Sequence, residues 1–288
     1  MFFRIIKVYD YEQRRTHMMD TFADYILEEE DLASKMEIVY YLSKKTNIFF
    51  DKSVIFKTEL LRMFLNYSKI QVDSNLLLTA SLLCNCKKVD NAQDLEKIHS
   101  YAKEGANYLR GLGFGKRFCK ICEEINRYSN SNPREKESDI LELVDQFGGM
   151  LLDRPERIGF QPDEALVLLE HRNLKDEYNR YLETFIEFVN YLEQIHISES
   201  VNMTALRRLV KIYNETEELT KFIQKVVYEY QPKIDELMQE ENNNLVNEMF
   251  EKHHVENTRP LFSEETTKKI LSHMNEKTEM LQNTNSSN

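Results

Sequence analysis

Glycine and proline are scarce, at seven and five in 288 residues. A chain this poor in both lacks the turn chemistry of β-sandwiches and barrels. It also lacks the raw material of glycine-rich phosphate loops: neither GxxxxGK followed by Ser or Thr nor GxGxxG occurs. No run of about 18 apolar residues is present, so no segment reads as membrane-spanning. The opening stretch Met1 to Tyr9 carries Arg4 and Lys7 and is too short and too charged for a secretory leader. Lys/Arg blocks never exceed two residues and the net charge is −11, which disfavours nucleic-acid partners. The four cysteines, without a secretory signal, read as reduced thiols, and a cytoplasmic location is expected.

What is abundant is Leu, Glu, Lys, Ile and Met, which favours helix and predicts an all-α fold. Residues 2–9 alternate weakly and fit a short strand or a first helical turn equally well. From Tyr11 to about Asn47 the pattern is helical, with Phe22, Tyr25 and Ile26 on one stripe and Met36, Val39 and Tyr40 on another. A helix is expected from Val54 to Lys69. Asp73-Ser74 offers a cap for a very apolar helix from Leu76 to Cys86. The next begins near Asp94 and stops at Gly111-Leu112-Gly113, and Arg117 to Tyr128 forms another. Helices are expected at about 136–152, 163–172 and 175–195. Asn202 to Tyr230 reads as one long amphipathic helix, broken or kinked at Pro232. A last amphipathic piece, Ser263 to Met280, precedes a polar tail, Gln282 to Asn288, expected to be disordered.

The stretch Leu141 to Phe147, then Asp153-Arg154-Pro155-Glu156-Arg157 and Pro162-Asp163-Glu164-Ala165-Leu166, resembles the second half of the HD-GYP domain. That family consists of bacterial metal-dependent phosphodiesterases acting on cyclic dinucleotides. The likeness in helix order runs from about 30 to 195. The family's Leu-Leu-His-Asp-Ile-Gly-Lys motif is matched by Leu82-Leu83-Cys84-Asn85-Cys86-Lys87-Lys88. Cys84 and Asn85 thus replace the His and the Asp, and Lys88 is kept. In the family, imidazole and carboxylate hold Fe or Mn ions whose shared hydroxide attacks phosphorus. Asparagine brings no charge to bridge metals, and a thiolate suits a softer ion.

The resemblance also implies a histidine on an earlier helix, but none lies between His17 and His99. His99 matches a later ligand and Asp145 the last one. The His-His-Glu pair is replaced by Asn126-Arg127-Tyr128, and the Gly-Tyr-Pro loop that contacts substrate is missing. Cys84, Asn85, His99 and Asp145 are therefore vestigial ligand positions, with no catalytic residue, metal or cofactor expected. His99 reads as a satisfied semi-buried histidine. Asp145 reads as a capping or Arg-pairing carboxylate, with Arg154 or Arg157 as partner. Lys88, Arg154 and Arg157 are candidate anion or ligand contacts. A further basic group, Arg110, Lys116, Arg117, Lys120 and Arg127, reads as a solvated helix face, with an anion site as the alternative.

The cysteines fall as Cys84-x-Cys86 and Cys119-x-x-Cys122, a pairing that can build a zinc site. Thiols two residues apart on a helix point roughly 200° apart, however. Cys119 and Cys122 share an apolar stripe with Phe118 and Ile125, so ordinary buried thiols are expected.

These readings divide the chain into an N-terminal segment (1–29), a degenerate HD-GYP-like helical domain (30–198), a helical extension (199–242) and a polar C-terminal segment (243–288). The expected function is regulatory, by binding a protein partner, with cyclic-dinucleotide signalling implied by the resemblance alone. The alternatives are a residual phosphohydrolase with an altered centre on Cys84, His99 and Asp145, or a dimerisation module. A homodimer through 202–230 is expected, because the steps 206–213 and 219–226–230 resemble an interhelical seam.

Overall fold

The computed structural model describes residues 21–88, 95–127, 133–155, 157–175, 179–196 and 203–241. The expectations for 2–9, for 263–280 and for the tail from 282 lie outside them. The described residues form an all-α fold. The helices are α1 (Phe22–Glu28), α2 (Leu32–Lys45), α3 (Lys52–Ser68), α4 (Ser74–Leu83), α5 (Leu95–Gly111) and α6 (Lys116–Glu123). They continue with α7 (Lys136–Leu151), α8 (Pro162–Lys175), α9 (Leu182–Leu192), α10 (Ala205–Glu215), α11 (Leu219–Ile223), a π-helical stretch Gln224–Tyr230, and α12 (Gln231–Glu241). The extended pairings among the described residues are two isolated bridges, Arg154 with Arg157 and His196 with Thr204. No helix among these residues is long and apolar enough to cross a membrane.

Local chemistry sets five of the helix starts. The side chains of Thr21, Asp31, Asp51, Asp73 and Thr204 each accept a hydrogen bond from a first-turn backbone N–H, supplying partners the helix itself cannot. The cap at Asp31 divides the helical pattern of 11–47 into α1 and α2. The helix expected over 117–128 is shorter: α6 ends at Glu123, and Glu124 and Ile125 continue as turns. The expected helix over 175–195 starts only at Leu182.

Helix α3 is the centre of the molecule. It is buried all round from Val54 to Leu65 and packs against α4, α7, α9, α10 and α11. Its aromatic contacts are dense: Phe64 meets Phe185 edge-on at 5.1 Å between ring centroids and lies 5.3 Å from Phe188.

The single long helix expected over 202–230 does not form. Helix α10 stops at Glu215, and the chain passes through Thr216 before α11 and the π-helical stretch. Lys52, at the start of α3, donates to the carbonyls of Tyr213 (3.1 Å) and Thr216, placing a cation on the C-terminal end of α10. Farther along, Arg62 of α3 pairs with Asp235 of α12 at 2.7 Å. Pro232 does not end the helix: the chain runs without a break from α11 through the π-helical stretch into α12, and the widened turn, with Gln231 N–H bonded to the Val226 carbonyl, lies directly before the proline. The hydrophobic stripe of this region is covered by the chain itself, with Leu206, Leu209, Phe222, Ile223, Val226 and Tyr230 all buried in the common core. The seam that suggested a homodimer is an internal surface.

Candidate functional site

Asp145 lies in α7, on the side facing α3, and the turn after α4 brings Asn85 to it. Its Oδ1 receives two donors: the ammonium of Lys57 at 2.7 Å and the side-chain amide of Asn85 at 2.9 Å. The two donors are buried and the acceptor mostly so, with the Lys57 side chain 6% and the Asp145 side chain 19% exposed. Asp145 was expected to pair with Arg154 or Arg157; its partner is Lys57, which the sequence reading passed over.

The signal that points to Lys57 is Gly148-Gly149. Two glycines inside a helix weaken it by roughly 1 kcal/mol each and call for a reason. Here the reason is close approach: a Cβ at position 148 would lie 2.9 Å from Cγ of Lys57. At position 149 it would lie 3.3 Å from Nη2 of Arg154 and 3.7 Å from Nζ of Lys57. The bare backbone of α7 lets a lysine lie across it and reach the carboxylate one turn away.

Burial pushes the Asp145 carboxyl up, but the charges of Lys57 and Lys88 outweigh it. With the hydrogen bonds from Lys57 and Asn85 they hold it well below the usual carboxylate range. Lys88 shows the other side of this balance. The like charge of Lys57, then burial, then Arg154 lower it to about 8, against the pull of Asp145 and Asp51. Among the described residues the Lys88 ammonium has neither a hydrogen-bond nor an ion-pair partner, although its backbone N–H donates to the Asn85 carbonyl at 2.8 Å. Asn85 itself is buried, and its Oδ1 has no donor among the described residues.

Arg154 and Arg157 sit on the turn after α7, where their backbones exchange two hydrogen bonds of 2.8 and 3.1 Å. Arg157 donates to the carbonyls of Gly149 (2.7 Å) and Met150 (2.9 Å), so its charge covers the C-terminal end of α7. Arg154 reaches Gly149 from the other side at 3.2 Å. His99 lies on α5, and its side chain is outside the described residues.

Cys84 is buried and donates to the Ser81 carbonyl at 3.6 Å, while Asn85 donates to its sulfur at 3.6 Å. Burial, with the Asp145 charge adding, pushes its thiol far up, so it is no thiolate at neutral pH. Cys86 is pushed up to about 12 by burial. Cys119 donates to the Phe114 carbonyl at 3.5 Å. Cys122 is raised first by burial and then by Cys84, Cys86 and Cys119, and α4 packs against α6. No group of three or more His, Cys, Asp or Glu side chains among the described residues is arranged to hold a metal ion. A dinuclear iron or manganese centre does not fit the residues present, because Asp145 Oδ1 already receives an ammonium and an amide.

Of the basic group, Arg110 at the end of α5 and Lys116 at the start of α6 are exposed, as a solvated face requires, while the other three meet carboxylates. Arg117 pairs with Glu137 at 2.8 Å and Lys120 with Glu135 at 3.0 Å. Arg127 pairs with Glu142 at 2.9 Å. Behind them Arg134 bridges Asp139 (2.6 Å) and Glu142 (3.2 Å), and Arg180 adds a second cation to Asp139 at 2.6 Å. Where the resemblance implies a His-His-Glu pair, the structure holds a network of arginines and carboxylates that ties α6 to α7. No family model, no curated protein and no solved structure matches the chain.

Proposed function

We propose that this chain is an HD-GYP-like regulatory protein that works by binding a partner protein rather than by hydrolysing a phosphodiester. The setting implied by the resemblance is bacterial cyclic-dinucleotide signalling. One observation carries the reading: the Lys57 ammonium on Asp145, with the Asn85 amide beside it, where the resemblance puts metal ligands. An ammonium replaces a metal's charge but not its chemistry. It cannot bridge two oxygens as a Lewis acid or turn a bound water into hydroxide near neutral pH. A centre neutralised in this way keeps α3, α4 and α7 together without the metal.

The alternative of a residual phosphohydrolase on Cys84, His99 and Asp145 has less behind it, because the Cys84 thiol is pushed up and Asp145 is engaged. The test is turnover. The full chain, loaded with Mn or Fe under reducing conditions and given a cyclic dinucleotide, should yield no product above the blank. Metal-dependent hydrolysis abolished by both Asp145→Ala and His99→Ala would overturn the reading. Capture of a protein from the native host, lost on mutation of surface residues, is the positive counterpart.

A further inference from the structure

We propose that the seat of α12 on α3 is a docking groove for an amphipathic helix of a partner protein, with α12 as the removable strap that fills it in the free chain. This rests on the reading of the chain as a partner-binding protein, and it names the surface and the kind of partner.

Three observations carry it. First, α12 wears the pattern of a groove-binding helix. Tyr230, Ile234 and Met238 follow one another at helical spacing and are buried, with Leu237 half-buried beside them. Pro232, Lys233, Glu236 and Gln239 are exposed. Such a narrow apolar stripe is what a helix presses into a cleft.

Second, the charges let α12 leave without stranding one. Within α3, Arg62 binds both Glu59 oxygens, Nε to Oε2 at 2.9 Å and Nη2 to Oε1 at 2.7 Å. Its Nη1 reaches Asp235 at 2.7 Å. Among the described residues this is the one side-chain hydrogen bond or ion pair that ties α12 to another helix. When α12 lifts, Glu59 still neutralises Arg62, and Asp235, its side chain already 35% exposed, passes into water. Parting Lys57 from Asp145 would instead leave a buried ammonium unpaired. What stays on α3 is a guanidinium fixed by Glu59, with Nη1 turned to the vacated seat. It selects a helix that carries a carboxylate beside its apolar anchors, as Asp235 stands beside Ile234.

Third, α12 has a hinge. The π-helical stretch Gln224–Tyr230 runs directly into it, with the Gln231 N–H on the Val226 carbonyl. Widened turns of this kind are rare, recur at functional sites and are where helices bend. The Tyr230 hydroxyl donates to the Ala205 carbonyl and so anchors the stretch while the residues beyond it swing.

The test has two arms, both on the full chain. In native-state hydrogen exchange the amides of α12 should exchange at least about a hundredfold faster than those of α3, and faster again in Asp235→Asn. In the second arm a fluorescent peptide with the sequence of residues 229–241 stands in for the partner helix. It should bind Ile234→Lys, whose own strap is loosened, at least about tenfold more tightly than it binds the parent. The same peptide carrying Asp235→Asn should lose at least about tenfold. Circular dichroism checks that Ile234→Lys keeps its helices; if it does not, the Asp235→Asn chain takes its place with the same expectation. Protection of α12 equal to that of α3, no saturable binding up to about 1 mM, or equal binding of the two peptides overturns the proposal. A parent chain that is dimeric at tens of micromolar and is split by the peptide assigns the seat to a second copy, which overturns it too. The absence of turnover would stand in each case, so failure here is distinct from failure of the regulatory reading.

Discussion

Lys57 and Asp145, 88 residues apart in sequence, meet at 2.7 Å across the α3–α7 interface, the lysine buried and the carboxylate mostly so. A buried pair contributes little over well-packed apolar residues, but half of one is costly, because the remaining charge has no partner. Lys57→Met should therefore destabilise the chain by about 3 kcal/mol in chemical denaturation at pH 7. Lys57→Met combined with Asp145→Asn should recover part of that loss. The pH dependence has a definite sign. A carboxyl held below its unfolded value contributes stability that is full above about pH 4 and is lost as pH falls through the folded value. The gap between parent and Lys57→Met should narrow in acid, and a gap constant from pH 7 to pH 2 would refute the assignment of the pair.

Lys35 makes a prediction of the same sign at the other end of the pH scale. Its ammonium is buried in the core, donating to the Ile26 carbonyl and to Thr79 Oγ1 at 2.7 Å. Burial lowers it to about 8, against Glu29 and Asp73. Below that pH both folded and unfolded chains are charged and the burial cost is carried in full. Between about 8 and the unfolded value near 10.4 the folded lysine sheds its proton first, and the cost is relieved. Measured against Lys35→Met, the parent should gain relative stability across this window, seen as converging or crossing urea midpoints. Parallel midpoints would show that Lys35 keeps its proton.

The four thiols should be nearly inert in the folded chain. Cys84, Cys86, Cys119 and Cys122 are all buried, and burial raises each of them. Since the thiolate is the reactive form, alkylation by iodoacetamide at pH 8 should be at least about a hundredfold slower than in denaturant. Intact mass should then show four additions after unfolding and essentially none before. Rapid labelling of the native chain would mean that the α4–α6 contact opens readily.

Leu209 and Ile223 separate an internal surface from a dimer seam. Both are buried within the chain, Leu209 completely. Leu209→Glu and Ile223→Glu should each unfold the protein or cost more than about 4 kcal/mol, because a carboxylate is placed in the core. The outcome of a seam would differ: a stable, well-folded monomer derived from a dimeric parent, as read by light scattering together with circular dichroism.

Much of the helical framework could be read without coordinates because its causes are local. Low glycine and proline content and apolar residues at helical spacing specify where helices form. Asp73 shows how a cap sets a start, since its carboxylate bonds the N–H of Leu76 within a few residues. The buried face of α3 is legible in the same way, with Leu60, Leu61, Phe64 and Leu65 inward.

Three features were decided only by the tertiary structure. The first is the break after Glu215. The pattern from 202 to 230 is compatible with one helix, but covering its stripe requires the chain to fold back over α3, and Lys52 and Arg62 hold the folded-back pieces there. The second is the partner of Asp145. Lys57 is one charged residue in an apolar helix, and by itself it reads as a side chain bound for solvent. Only the approach of α7, made close by Gly148 and Gly149, turns it inward onto the carboxylate. The third is the fate of the basic residues. Arg117 and Arg127 are absorbed by α7 carboxylates, whereas Lys88 is left without an acceptor among the described residues. Helix propensity and capping act over a single turn and can be read along the chain. The pairing of charges depends on which helices touch, a property of the packed core that sequence spacing does not contain.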